Sequence, residues 1–382
     1  MTREIRIGMV GYKFMGRAHS NAFSQAAHFF NLKARPRLKV VCGRHEAEVK
    51  EFAGRWGYQD YETDWRRLVE RDDVDLIDIS TPNNTHAEIA IAAARNGKAV
   101  FCEKPLASNA AEAEKMLEAV RKNKVFHAVC FNYRRTPALS LAKKMIDEGK
   151  LGRIYHYRGL YLQSWAMDPG MPLIWRMQKG AAGSGALGDL GSHQVDLARW
   201  LVGEVAEVTG LSETFVKERL VSRNETGLSA SGGRKKAKVT VDDATLFLIR
   251  FKNGAVGSIE ATRFAPGRKN YNQLEINGEK GTLVFNLEQL NELEYYDATE
   301  SKETQGFRTI SVTESVHPYF GAWWPHGHII GYEHTFIHTA ADLINAWAEG
   351  KTFQPNFHDG LACQKVLSAV EKSAIKRNWV RL

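Results

Sequence analysis

The chain has 382 residues, 43% of them hydrophobic and 25% charged, an ordinary globular composition with length enough for two domains that each carry a core. No apolar run is long enough to cross a bilayer. The start, Met1-Thr-Arg-Glu-Ile-Arg-Ile-Gly8, lacks the features of a signal peptide, so a cytoplasmic protein is expected. The net charge of +8 is spread along the chain, apart from Arg234-Lys235-Lys236 in a Gly/Ser-rich stretch read as a solvated loop, which argues against a nucleic-acid face and leaves an anionic cofactor or substrate as a sink for positive charge.

From the N-terminus, residues 5–10, 38–42, 74–79, 99–102 and 125–131 read as buried strands. A stretch from Arg17, then 45–56, 85–96 and 110–122, read as helices. Strands alternating with helices at this spacing imply a parallel sheet covered on both faces, a doubly wound α/β domain over 1–131. Ligands of such sheets lie beyond the carboxyl ends of the strands. Five loops with polar or special residues fall there: 11–16, 42–44, 81–83, 103–105 and 132–134.

The first loop, Gly11-Tyr-Lys-Phe-Met-Gly16, departs from G-x-G-x-x-G at Lys13. The missing glycine normally lets the backbone approach a pyrophosphate; an ammonium near the phosphates offsets that loss, Phe14 and Met15 complete the loop, and the N-terminus of the following helix supplies amide donors. A plain tight turn is the competing reading. The second strand ends in Cys42-Gly43-Arg44 without the acidic residue of many NAD enzymes. Arg44 suits a 2′-phosphate, favouring NADP, or stacks on adenine, which suits either. NAD is the expected cofactor and NADP stays open. Thr81, Pro82, Asn83, His86, Glu103, Lys104 and Asn132 complete the expected cofactor-binding set. Cys42, Cys102, Cys130 and Cys363 show no close pairing and read as reduced, buried thiols.

Residues 132–382 are expected to form an α+β domain with a large, open, mostly antiparallel sheet, with strands at 154–162, 205–214, 239–251, 255–264, 273–276 and 282–286. One sheet face is left free to build a homodimer or homotetramer. Asp189 and His193, four apart, fall on one helix face. Leu197, Trp200 and Leu201 mark that helix as amphipathic. His193 suits a base near neutral pH, with Asp189 orienting it or binding a hydroxyl and Asp196 behind it. A capping Asp and a core His are the plainer alternative. Tyr133, Arg134, Gln163, Trp165, Trp175 and Arg176 offer rings, amides and charges suited to a sugar. Arg134, Arg135 and Arg176 suit an anionic sugar or, equally, internal salt links. The run His317 to His328, with His334 and His338, lacks the further ligands of a zinc site, so no metal is expected, and a loop closing over substrate is the preferred reading.

Glu103-Lys104-Pro105 after a strand, the opening Gly11 to His19 segment and Gly185-Ala-Leu-Gly-Asp189-Leu-Gly-Ser-His193-Gln-Val-Asp196 together resemble the Gfo/Idh/MocA oxidoreductase family across nearly the whole chain. The stretches 132–137, 161–165 and 168–176 are similar to its glycoside-oxidising, levoglucosan dehydrogenase branch. The resemblance implies hydride transfer between a ring secondary alcohol of a sugar, glycoside or inositol-like polyol and NAD(P), with Lys104, Asp189 and His193 catalytic. Lys104 and His193 handle the proton, and Lys104 also touches substrate. A redox-neutral glycoside hydrolase with tightly bound NAD is the alternative, and a non-enzymatic sensor a third; neither nucleic acid nor membrane is an expected partner.

Overall fold

Strand β1 (Glu4–Val10) buries Ile5, Ile7 and Met9 completely. It is followed by α1 (Phe14–Phe29), β2 (Arg35–Cys42), α2 (Glu46–Trp56), β3 (Asp60–Glu62), α3 (Trp65–Glu70), β4 (Leu76–Ile79), α4 (His86–Arg95), β5 (Ala99–Glu103), α5 (Ala110–Lys122) and β6 (His127–Cys130). The computed structural model describes residues 3–226 and 229–382. The six strands pair in parallel in the order β3-β2-β1-β4-β5-β6. Parallel neighbours need crossover connections, which the helices supply. The winding reverses between β1 and β4, the switch point at which such sheets bind ligands. Helix α5 shows why the helices lie on the sheet: Ala113, Met116, Leu117 and Val120 are buried at helical spacing, and Asn109 caps its start by accepting from the Glu112 N–H at 3.0 Å.

The expected doubly wound sheet is therefore present, with differences. Helix α1 begins at Phe14, not Arg17, so Phe14 and Met15 lie in its first turn. Strand β3 and helix α3 were not expected; three half-polar edge residues and six helical ones are too short for a periodic signal.

The second sheet has nine strands: β7 (Ile154–Leu162), β8 (Val205–Glu213), β11 (Ala244–Phe251), β12 (Val256–Thr262), β13 (Tyr271–Gly278), β14 (Gly281–Asn286), β15 (Glu292–Asp297), β16 (Arg308–Ser311) and β17 (Val380–Arg381), with β9 (Glu218–Thr226) and β10 (Ser229–Lys238) forming a separate antiparallel pair. Its order is β16-β15-β14-β13-β7-β12-β11-β8-β17, antiparallel except for β7 and β12. Alternation sets its two faces: Phe247, Ile249, Ile259, Leu274 and Ile276 are buried, while Leu246, Leu248 and Arg250 point the other way. Arg234-Lys235-Lys236 lies within β10, which corrects the loop reading; Lys235 and Lys236 are exposed there. The single strand expected over 239–251 starts only at Ala244, because the Asp242 and Asp243 carboxylates are turned to backbone amides elsewhere.

By contacts the chain forms two units: Met1–Asn132, Gly180–Gly183 and Glu333–Gln364, and Tyr133–Lys179, Ser184–Tyr332 and Lys365–Leu382. The division differs from 1–131 and 132–382 chiefly in returning 333–364 to the first unit. Helix Tyr332–Glu349 buries Phe336, Ile337, His338 and Leu343. His338 is wholly buried with its ring edge-on to Phe30 at 5.7 Å, so neither it nor His334 belongs to a closing loop. No helix among the described residues is long and apolar enough to cross a membrane.

Candidate active site

In the first unit every expected cofactor residue lies at or just beyond a strand's carboxyl end. The turn after β1 is dictated by glycine. Gly11 has φ +107°, and a Cβ there would stand 2.6 Å from the Ser80 carbonyl oxygen; a Cβ on Gly16 would stand 2.4 Å from the Gly11 oxygen. No side chain caps the N-terminus of the 16-residue α1, so its first-turn amides face the turn without a capping acceptor. This cradle fits a dinucleotide pyrophosphate. Replacing Gly11 with alanine is expected to cost most of the NADH affinity, read by fluorescence titration, because both the backbone angle and the contact to Ser80 forbid a side chain. Unaltered binding would refute the cradle.

Lys13 does not stand alone over this turn. Its ammonium pairs with Glu48, which also accepts from Tyr12 Oη at 2.9 Å, and Lys13 and Glu48 are both about half exposed. Arg44 is exposed, with no hydrogen bond or ion pair among the described residues. Asn83 is buried and donates to the Ala182 carbonyl at 2.9 Å; Asn132 is buried and donates to Thr335 Oγ1 at 2.8 Å. Thr81 and Pro82 stay partly exposed. His86 is wholly buried between the carbonyls of Thr81 (2.9 Å) and Pro105 (3.1 Å). It links two strand-end loops from behind, so its assignment to cofactor contact is corrected.

Glu103 is likewise scaffold. One oxygen meets His19 Nε2 at 2.8 Å and the other accepts from the Lys104 amide at 3.0 Å, with the carboxylate buried. Lys104 itself is half-buried after β5. Burial pushes the Glu103 carboxyl up, but the hydrogen bond and charge of His19 outweigh it and hold it below the usual range.

In the second unit, the chain winds as a π-helical turn over Leu187–Gly191 before the α-helix Ser192–Leu201. Such turns often occur at functional sites. Asp242 holds the start of this segment, accepting from the Gly185 and Leu187 amides at 2.7 Å each. Asp189 pairs with Arg263 Nη2 at 2.9 Å, so it is not a helix cap. Arg263 is 1% exposed and donates also to the carbonyls of Gly185 and Arg176 at 3.2 Å, with its guanidinium 5.0 Å from the Trp165 ring.

His193 lies against Tyr133 (centroids 4.6 Å) and Tyr161 (5.7 Å). From there a polar chain runs outward. The Tyr133 and Tyr161 hydroxyls are 2.9 Å apart, Tyr161 Oη donates to Asn270 Oδ1 at 2.8 Å, Gln163 Nε2 donates to the same oxygen at 2.7 Å, and Trp165 Nε1 donates to Gln163 Oε1 at 2.8 Å. Burial pushes the Tyr161 phenol well above its usual range, with Tyr133 adding to the shift, so it stays a neutral donor. Gln194, fully buried, fixes the helix under His193 by accepting from Tyr157 Oη at 2.6 Å and donating to Asn272 Oδ1 at 2.6 Å.

Arg134 is buried in a two-pronged ion pair with Asp196 (2.8 and 2.6 Å). Trp175 and Arg176 stand in a short turn with the guanidinium 4.4 Å from the indole. Asn270, Arg263, Gln194 and Asp242 were missed; only an acidic pair after 239–241 and an Arg ending β12 hinted at any of them. Among the described residues the histidines from His317 to His338 join no metal-ligand cluster.

Residues 5–131 match an oxidoreductase family with an NAD-binding Rossmann fold, and residues 139–284 match the GFO/IDH/MocA C-terminal domain. The chain is 44% identical to the levoglucosan dehydrogenase of Pseudarthrobacter phenanthrenivorans, over 99% of this chain and 98% of that one. A solved oxidoreductase domain protein from Kribbella flavida is 51% identical with a TM-score of 0.94, covering 99% of each chain. A levoglucosan dehydrogenase solved with NADH and levoglucosan is 44% identical with a TM-score of 0.94, again over 99% of each chain.

Proposed function

The chain belongs to the Gfo/Idh/MocA oxidoreductase family, and from that premise we propose that it oxidises a ring secondary alcohol of a sugar, glycoside or inositol-like polyol. NAD is the cofactor of its Rossmann domain; when bound, the nicotinamide takes the hydride that leaves the carbon. The proton that leaves the oxygen as C–O becomes C=O is handled by Lys104 and His193. Lys104 polarises the hydroxyl, His193 accepts the proton, and Asp189, steadied by Arg263, accepts from a neighbouring hydroxyl. The observation that carries this reading is the wall beside His193, in which the rings of Tyr133 and Tyr161 continue into the amides of Asn270 and Gln163 and the indole of Trp165. Flat faces with amide edges suit a pyranose and its hydroxyls.

The test is to supply NAD, and separately NADP, with levoglucosan, methyl glucosides and inositols and to follow reduced nicotinamide. NADH is expected with at least one ring alcohol. Product formed without net NADH points instead to the redox-neutral hydrolase, and no reaction with any of them sinks the proposal. All four cysteines are buried thiols, which supports a reducing, cytoplasmic setting.

We propose also that the chain forms a homo-oligomer through the outward face of the nine-stranded sheet. Leu211, Leu246, Leu248 and Val256 share that face, each at least 40% exposed, with Leu246 opposite Leu211. Apolar patches of this kind are usually covered. The double change Leu246→Glu and Leu248→Glu is expected to yield monomer by light scattering, where the wild type gives dimer or tetramer. A monomeric wild type would end this reading.

A further inference from the structure

We propose that His19 is a positioning residue for Lys104, holding the strand end that bears it through a buried carboxylate–imidazole–carboxylate link; the inference rests on the assignment of Lys104 to the proton transfer above. His19 comes from α1, whose first turn forms the dinucleotide cradle. Its Nδ1 meets both oxygens of Asp78 on β4, at 2.9 and 3.0 Å, and its Nε2 meets Glu103 at the end of β5, at 2.8 Å. The second oxygen of Glu103 accepts from the Lys104 amide at 3.0 Å. One side chain thus ties three elements together, one residue away from the group that the reaction uses.

The chemistry of the link is restrictive. An ionised carboxylate only accepts, so an imidazole between two of them donates from both nitrogens and carries a positive charge. Burial works against that charge, but Asp78 and Cys130 outweigh it, and His19 is raised well above the usual histidine range; burial also raises the Asp78 carboxyl, against the charge and hydrogen bond of His19. The ring cannot swing away: it is stacked on Phe101 at 5.2 Å and lies 5.7 Å from Phe336. Residues His19, Asp78 and Glu103 are all less than 5% exposed, so loss of the middle charge would leave two carboxylates stranded in a dry interior.

Cys130 lies close enough to His19 and Glu103 for the three to resemble a metal site. Two ligands about 2.0–2.1 Å from one tetrahedral zinc stand more than about 3 Å apart. The 2.8 Å separation of His19 Nε2 and Glu103 Oε1 is a hydrogen bond, which a proton satisfies and an ion does not. Nor does the buried imidazole reach substrate, so it acts through Glu103 and the Lys104 backbone.

The substitution His19→Gln tests this, because glutamine cannot bridge both carboxylates. In the NADH-loaded or turning-over enzyme, kcat is expected to fall about 10- to 100-fold, as for a misplaced reacting group, with substrate KM and NADH affinity little changed. In a Lys104→Ala background the same change is expected to cost almost nothing further, because the two act as one unit. An equal loss in both backgrounds, or an unchanged kcat, overturns the inference. Should His19→Gln fail to fold, Asp78→Asn keeps an acceptor on Nδ1 and removes one charge; a smaller loss that vanishes without Lys104 is expected, and a loss that persists overturns the link. Competitive acetylation of lysines with acetic anhydride, read by mass spectrometry on the NADH-bound protein, needs no sugar turnover. The Lys104 rate is expected to shift several-fold in His19→Gln while other lysines hold, and an unchanged rate overturns the inference. A shifted rate in a protein that oxidises no sugar sinks the proposed function alone.

Discussion

Replacing Lys104 with alanine is expected to lower kcat about 10³-fold while NADH affinity changes little. Positioned proton transfer contributes roughly 10²- to 10⁴-fold, and Lys104 lies where a strand end meets the cofactor side of the sheet, its amide fixed by Glu103. The side chain is half-buried after β5, so truncation removes a functional group without emptying a core. Lys104→Arg separates two roles. A guanidinium keeps the charge but does not give up a proton in a protein. If polarisation alone matters, the Arg variant recovers much of the loss; if the proton passes through Lys104, it does not. A steady-state kcat for Lys104→Ala within about tenfold of wild type would remove this residue from the chemistry.

The change Arg263→Ala is expected to be the most damaging to the fold among the site substitutions. It removes three hydrogen bonds, those to the Asp189 carboxylate and to the carbonyls of Gly185 and Arg176. Breaking a buried ion pair by deleting one partner costs about 3–5 kcal/mol. At a little over 1 °C per kcal/mol for a chain of this size, the thermal midpoint should drop by about 5 °C. Activity should fall as well, because Asp189 loses the group that aims it. Arg263→Lys retains charge but not the fork, and is expected to keep more stability than activity. A midpoint shift well below about 1 °C for Arg263→Ala would show that the pair contributes almost nothing.

The first unit was legible because its strands are buried on both faces and read as apolar runs, while each connecting helix keeps one apolar stripe. The loops at their ends could be placed by the same logic, which puts Gly11, Gly16, Asn83 and Lys104 at strand ends. The second unit was less legible. Strands β9 and β10 are short of apolar residues, and β10 carries Ser, Gly and Lys, the composition of a loop. Partners far apart in the chain were invisible: Arg263 lies 74 residues from Asp189, and Asn270 lies 107 from Gln163. No periodicity reports such pairs.

By itself, then, the sequence determined a parallel α/β half with a glycine-dictated turn, a Glu-Lys-Pro element at a strand end, and an Asp and a His one helical turn apart. Local spacing is enough for these, because backbone geometry repeats every two or 3.6 residues. Only the tertiary structure decided what each charge does. Arg134 was read as a sugar contact and is buried against Asp196; His86 and Glu103 were read as cofactor contacts and, buried, hold loops from behind. The physical reason is desolvation. A buried charge must be matched by a partner, and which residue is near enough to serve is set by packing between distant segments.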